Sequence, residues 1–225
     1  MRASRSARDK PDYHVLRYCY GCAMTERLPS LLPADRPGQL AALTAIPGEF
    51  KLQFEPADIP KLAKRYGYEE DDAAFDAGRR IREGEHTFEH LSRIFEWKTK
   101  GRGRSRLKRN KPDEITDALS LAVSAKTERA AVAVLLGLQG VQVPVASAIL
   151  TAIYPERYTV IDFRALEALG TNNADYSVNF YLTYLADCRQ IANANQVSLR
   201  NLDRALWQWS KEHPVAVLRT KERTI

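Results

Sequence analysis

The chain has 225 residues, 44% of them hydrophobic and 28% charged, which suits one large core or two small ones and excludes a disordered polyelectrolyte. Its formal net charge of +6 favours a polyanionic partner. That excess is local, because eight basic residues and no acidic ones fall in KTKGRGRSRLKRNK, Lys98 to Lys111, leaving 26 basic against 28 acidic residues elsewhere.

The N-terminal MRASRSARDK lacks the apolar core of a secretory signal, which points to the cytoplasm. Three cysteines, an odd number in a long chain, argue against a disulfide framework. Cys19 and Cys22 form a CxxC pair, yet Cys188 and scattered histidines do not complete the four ligands of a structural zinc. We therefore read three ordinary thiols and expect no metal and no cofactor.

Seven of the eleven prolines lie in the first 60 residues, so residues 1–37 read as an irregular segment of turns and short elements. Helical periodicity then takes over in PADIPKLAKRYG, EEDDAAFDAGRRIREGE and HTFEHLSRIFEWKTK, whose basic last turns suit the helix dipole. The basic run follows, with Lys98, Lys100, Arg102, Arg104 and Arg106 at every second position, as an extended or irregular segment would display them to backbone phosphates. Pro112 opens DEITDALSLAVSA, and Thr127 caps TERAAVAVLLGL. VPVASAILTAI, FRALEAL, SVNFYLTYLADCRQIANAN and SLRNLDRALWQWSKEH complete the pattern. Only YTVI alternates with a period of two, so the fold class is all-α.

One segment departs from the rest. From Ala130 to Pro155 the chain has no Asp, Glu, Lys or Arg. Gly137, Gln139, Gly140, Gln142 and Pro144 interrupt its centre, which speaks against a membrane span and for two buried helices, at about 127–138 and 144–153, around a tight turn. A glycine-bearing turn opening into a helix N-terminus presents unpaired backbone N–H groups to anions. The plain alternative makes Gly140 the C-terminal cap of the first helix. Just downstream, in TVIDFRAL, Asp162 precedes a helical run as an N-cap would.

Together, LQGVQVPVASAIL and TVIDFRAL resemble the helix-hairpin-helix DNA glycosylase superfamily, whose L-x-G-V-G hairpin is followed at about this separation by a V-D turn carrying the catalytic aspartate. The resemblance covers residues 127–170. It implies a two-lobed helical fold, a catalytic role for Asp162, and phosphate contacts from the hairpin at Gly140, Val141, Gln142, Val143 and Val145. It also implies a base pocket that Trp97 helps to form. Two departures stand out: Gln142 replaces the second hairpin glycine, and Pro144 stands where lyase-type members carry a lysine. The activity so implied is a monofunctional glycosylase that flips a damaged or modified base from double-stranded DNA, acts as a monomer and uses no cofactor. A non-catalytic DNA-binding module is the alternative, and a helical protein docking an acidic partner a third. Trp207, Trp209, Tyr181 and Tyr184 read as structural.

Overall fold

The computed structural model describes residues 50–67, 71–171 and 175–214; the irregular segment expected over residues 1–37, with Cys19 and Cys22, lies outside them. The fold is all-α, with no strand among the described residues. A 3-10 turn at Pro56–Asp58 leads into α1 (Ile59–Arg65), followed by α2 (Asp71–Arg82), α3 (Phe88–Thr99) and α4 (Arg104–Leu107). Then come α5 (Pro112–Ser124), α6 (Glu128–Leu136) and α7 (Val143–Ile153), and finally α8 (Phe163–Ala168), α9 (Val178–Ala194) and α10 (Leu199–Glu212). No helix among the described residues is long and apolar enough to cross a membrane.

Helix starts follow local chemistry. Thr127, Ser177 and Ser198 each cap a helix by accepting from the N–H three residues on, at 3.2, 3.2 and 3.1 Å. Each such cap is worth about 1 kcal/mol. Pro112 and Pro144 stand in first turns, where a missing N–H costs nothing.

The basic run is not extended. Helix α3 continues through Lys98 and ends at Lys100, which turns left-handed (φ 54°) and donates its N–H to Glu96 O at 2.8 Å. Gly101 and Gly103 carry φ of 78° and 85° at little steric cost, so the chain reverses and α4 takes up Arg104 and Arg106. The every-second-residue display expected of this segment is thereby replaced by a helix end, a turn and a short helix.

Helix α7 is the centre of the fold. All its residues except Pro144 are buried, and it packs against α2, α3 and α6. Its approach to α2 is close enough that a Cβ at Gly78 would lie 2.0 Å from Ala152 O. Helices α1, α8 and α9 gather instead on α10, and α9 also meets α6. One continuous apolar cluster joins all of them, with Leu91, Ile94, Leu135, Ile149 and Leu206 fully buried.

Candidate functional site

Asp162 is held at the end of an immobilised lead-in. Residues 158–161 run irregular and buried between α7 and α8, so their backbone polar groups must find partners inside the protein. Tyr181 and Tyr184, one turn apart on α9, donate their hydroxyls to Thr159 O at 3.2 Å and Val160 O at 2.8 Å. Burial holds both phenols neutral, with pKa values well above the ordinary range, so they stay donors. Ser147 on α7 accepts from Ile161 N–H at 3.1 Å while donating to Pro144 O at 2.8 Å. The structural tyrosines of the sequence are therefore braces for the aspartate.

The carboxylate has two tasks at once. Its Oδ1 accepts from Ala165 N–H at 3.0 Å and caps α8, while Oδ2 accepts from Lys98 Nζ at 2.8 Å. Side-chain exposures of 22% for Asp162 and 13% for Lys98 make this a largely desolvated pair. Burial alone would raise the carboxyl pKa. The charge and hydrogen bond of Lys98, with N–H donation from Ala165 and Arg164, outweigh it and hold the group ionised below the usual carboxylate range.

This pair lines a cavity of about 60 Å³. The rings of Tyr66, Trp97 and Trp207 form its apolar wall, and Arg200 and Asp203 face in beside them. Behind that wall lies a buried ionic cluster: Arg200 bridges Asp71 and Asp203, and Arg204 reaches Asp71 at 3.2 Å. Asp71 also accepts from Trp97 Nε1 at 3.0 Å and from the Tyr66 hydroxyl at 3.2 Å. The Arg200 guanidinium lies 4.7 Å from the centre of the Phe75 ring and 5.4 Å from that of Tyr66. Burial pushes the Asp203 carboxyl up, with Arg200 opposing.

Trp97, expected in a base pocket, does line the cavity. It is nonetheless buried, packs edge-on against Phe75 at 5.6 Å and has its N–H committed to Asp71, so its ring is a fixed wall. Around Trp207, cations and rings alternate: Arg164 sits 5.0 Å from the ring centre of Phe163 and 5.3 Å from that of Trp207, with Lys211 5.1 Å from Trp207. Phe163, the residue after the aspartate, is 57% exposed, which is unusual for a phenylalanine.

The hairpin and the basic run meet. Asn110, buried at the end of the run, accepts from Gln139 N–H at 2.8 Å and donates to Gln139 O at 3.0 Å and to Leu107 O at 2.8 Å. Gly140 then passes so close to α4 that a Cβ would lie 3.1 Å from Leu107 N and 3.2 Å from the Arg106 Cβ. Its φ is 86°, although α6 is capped earlier, by Gly137. Gln142 is exposed with φ −113°, so the loss of a second glycine brings no left-handed strain.

Among the described residues, no acceptor meets the N–H groups of Gly140, Gln142 and Val143. Val141, Val143 and Val145 have buried side chains, and the Val145 N–H is spent on Gln142 O at 2.8 Å. These valines can offer a ligand at most their backbones, and Val145 does not offer its N–H.

Of the basic residues, Lys98 leaves the group by turning into the cavity. Lys100, Arg102, Arg104 and Arg106 are exposed, with Arg104 paired to Glu96 at 2.7 Å. Tyr66, Asn110, Arg200 and Asp203 escaped the sequence reading. Asn110 carried a faint signal as the one uncharged polar residue between Arg109 and Lys111. Arg200, Asp203 and Arg204 fall at helical spacing within an otherwise amphipathic helix, and which charged face turns inward is a tertiary matter. Cys188 is a free, buried thiol whose pKa burial drives far up, so it is inert. No group of metal-ligating side chains occurs among the described residues. No family model, curated protein or solved structure matches the chain.

Proposed function

We propose that this protein is a DNA glycosylase, with no lyase step through the hairpin-lysine position, that rotates a damaged or modified nucleotide out of double-stranded DNA and hydrolyses its N-glycosidic bond. The observation that carries the reading is an ionised, immobilised carboxylate on the wall of an aromatic-lined cavity. Departure of the base leaves positive charge on the sugar, and a fixed anion lowers the energy of that state. A carboxyl held below its ordinary pKa accepts protons poorly, so electrostatic stabilisation comes first and alignment of the water second.

The rest of the surface fits this use. Free N–H groups at the hairpin turn suit a phosphate oxygen, Arg106 stands beside that turn to neutralise its neighbours, and Arg102 is exposed in the same basic run. The two groups of helices, around α7 and around α10, would be the two lobes. A cavity of about 60 Å³ holds a few waters rather than a purine, so admitting a base requires Lys98 or the half-buried Trp207 to swing aside. The hairpin offers no amine, since Pro144 occupies the position two residues after Gln142.

One observation favours the second reading, a non-catalytic DNA-binding module: both oxygens of Asp162 already have protein donors. An excision screen separates the two. Duplexes carrying alkylated purines, oxidised or deaminated bases, or modified cytosines are incubated with the protein and assayed for alkali-labile sites. We expect release from one class by the wild type and none by Asp162→Asn, with duplex binding retained. Undiminished release by that variant would remove the catalytic assignment, and binding without release from any duplex would leave the module. The base class released also separates housekeeping repair from defence against modified viral DNA.

A further inference from the structure

We propose that Lys98 captures the abasic sugar covalently, its amine condensing with the C1′ aldehyde to form an imine in the same cavity. The inference rests on the glycosylase reading and begins from a conflict within it. A lone carboxylate would stabilise a cationic sugar best, yet Lys98 brings an ammonium to within 2.8 Å of Asp162 Oδ2 and cancels most of that charge. Both side chains line the cavity, and Lys98 is only 13% exposed. Keeping a cation there opposes the glycosidic step, and an apolar residue would fill the same space without doing so. The amine therefore has a task of its own.

The chemistry of the product supplies it. Hydrolysis of the N-glycosidic bond leaves a hemiacetal that opens to an aldehyde at C1′, and a lysine amine is the side chain that adds to carbonyls. Lys98 sheds its proton to solvent water, because Asp162, held below the usual carboxylate range, accepts protons poorly. The freed lone pair forms the Nζ–C1′ bond while the carbonyl π pair moves to oxygen. A proton passes from nitrogen to that oxygen, giving a carbinolamine. A proton from solvent then takes the hydroxyl off as water, and the nitrogen lone pair closes the C1′=Nζ iminium, whose charge Asp162 offsets as it did the ammonium's. Ammonium and aldehyde go in, iminium and water come out, the proton given to solvent is taken back from it, and the carboxylate stays ionised throughout.

The iminium acidifies the C2′–H. Loss of that proton to water gives an enamine, whose electron pair forms the C2′=C3′ bond and expels the 3′ phosphate with the electron pair of the C3′–O bond. Water then hydrolyses the imine and frees Lys98. Pro144 closes the hairpin route to this chemistry, and Lys98 reaches the site from α3 instead.

The test bypasses base release. The full chain is mixed with a duplex bearing a synthetic abasic site, at a concentration where a mobility shift confirms saturation, and sodium borohydride is added to reduce any imine to a stable amine. We expect a protein–DNA adduct on a denaturing gel, mapped by peptide mass spectrometry to Lys98, and its loss in Lys98→Arg, which keeps the charge. Peptide mapping of the wild-type adduct decides the matter even if the variant folds poorly. No adduct at saturation, no saturable binding, an adduct mapped to another amine, or an undiminished adduct in Lys98→Arg would each overturn the proposal. Base release without an adduct removes this inference and leaves the glycosylase. An adduct on the abasic duplex without release from any modified base keeps the imine chemistry and removes the glycosylase.

Discussion

Replacing Asp162 by Asn tests more than catalysis, because the carboxylate has two oxygens in use and Asn has one acceptor. In the folded protein Oδ1 serves the Ala165 N–H and Oδ2 serves Lys98 Nζ, at 3.0 and 2.8 Å. If the Asn oxygen keeps the cap, its NH₂ faces the lysine, which is left as a largely buried ammonium at 13% exposure. Leaving such a partner unsatisfied costs about 1–3 kcal/mol. For a chain of this size that is a fall in Tm of roughly 2–4 °C per kcal/mol. Lys98→Met removes the stranded charge and retains the apolar stem, so in the double variant much of the loss returns. Urea denaturation of the wild type, both single variants and the double closes the cycle, and we expect a coupling of about 1 kcal/mol or more. Single-variant losses that add within about 0.5 kcal/mol would refute the ion pair as the organiser of this site.

Acid should erase the difference between Asp162→Asn and the wild type. The folded carboxyl titrates below its unfolded value of about 3.9, so the unfolded chain binds more protons in that window. The stabilisation is thus complete above that value and disappears as pH falls through the folded pKa, and a pH series of urea midpoints follows it. Gly140→Ala places a left-handed Ala with its Cβ 3.1 Å from Leu107 N, and should cost at least about 1–2 kcal/mol of stability and weaken duplex binding. Converting Arg102 and Arg106 to Ala should flatten the dependence of log Kd on log salt by about 0.9 for each phosphate no longer neutralised, with Tm unchanged.

Much of the fold was legible because its signals are local. Helix starts at Pro112, Thr127 and Asp162 lie where proline, threonine and aspartate announce them, and the charge-free hairpin is the central α6–α7 pair. Asp162 was legible for the same reason, since a cap has a short sequence signature. Lys98 was not. Its charge placed it with the exposed arginines, but the helix continues one residue past it, and the helical turn rather than the spacing of charges decides which way it points. Asn110 was hidden because two of its three hydrogen bonds go to Gln139, 29 residues away, a pairing made by tertiary approach.

The Ser147 link has a mechanical meaning. The first turn of α7 joins the bend at Gly140 to the buried lead-in of Asp162, linked at Ile161 through the Ser147 hydroxyl, while the far end of the helix rests its backbone on Gly78. The turn and the carboxylate are thereby spaced by a rod about one helical turn long. Such a rod acts as a ruler: whatever seats on its near end meets the anion at a set offset, and a guest seated one step out of register meets it at the wrong place.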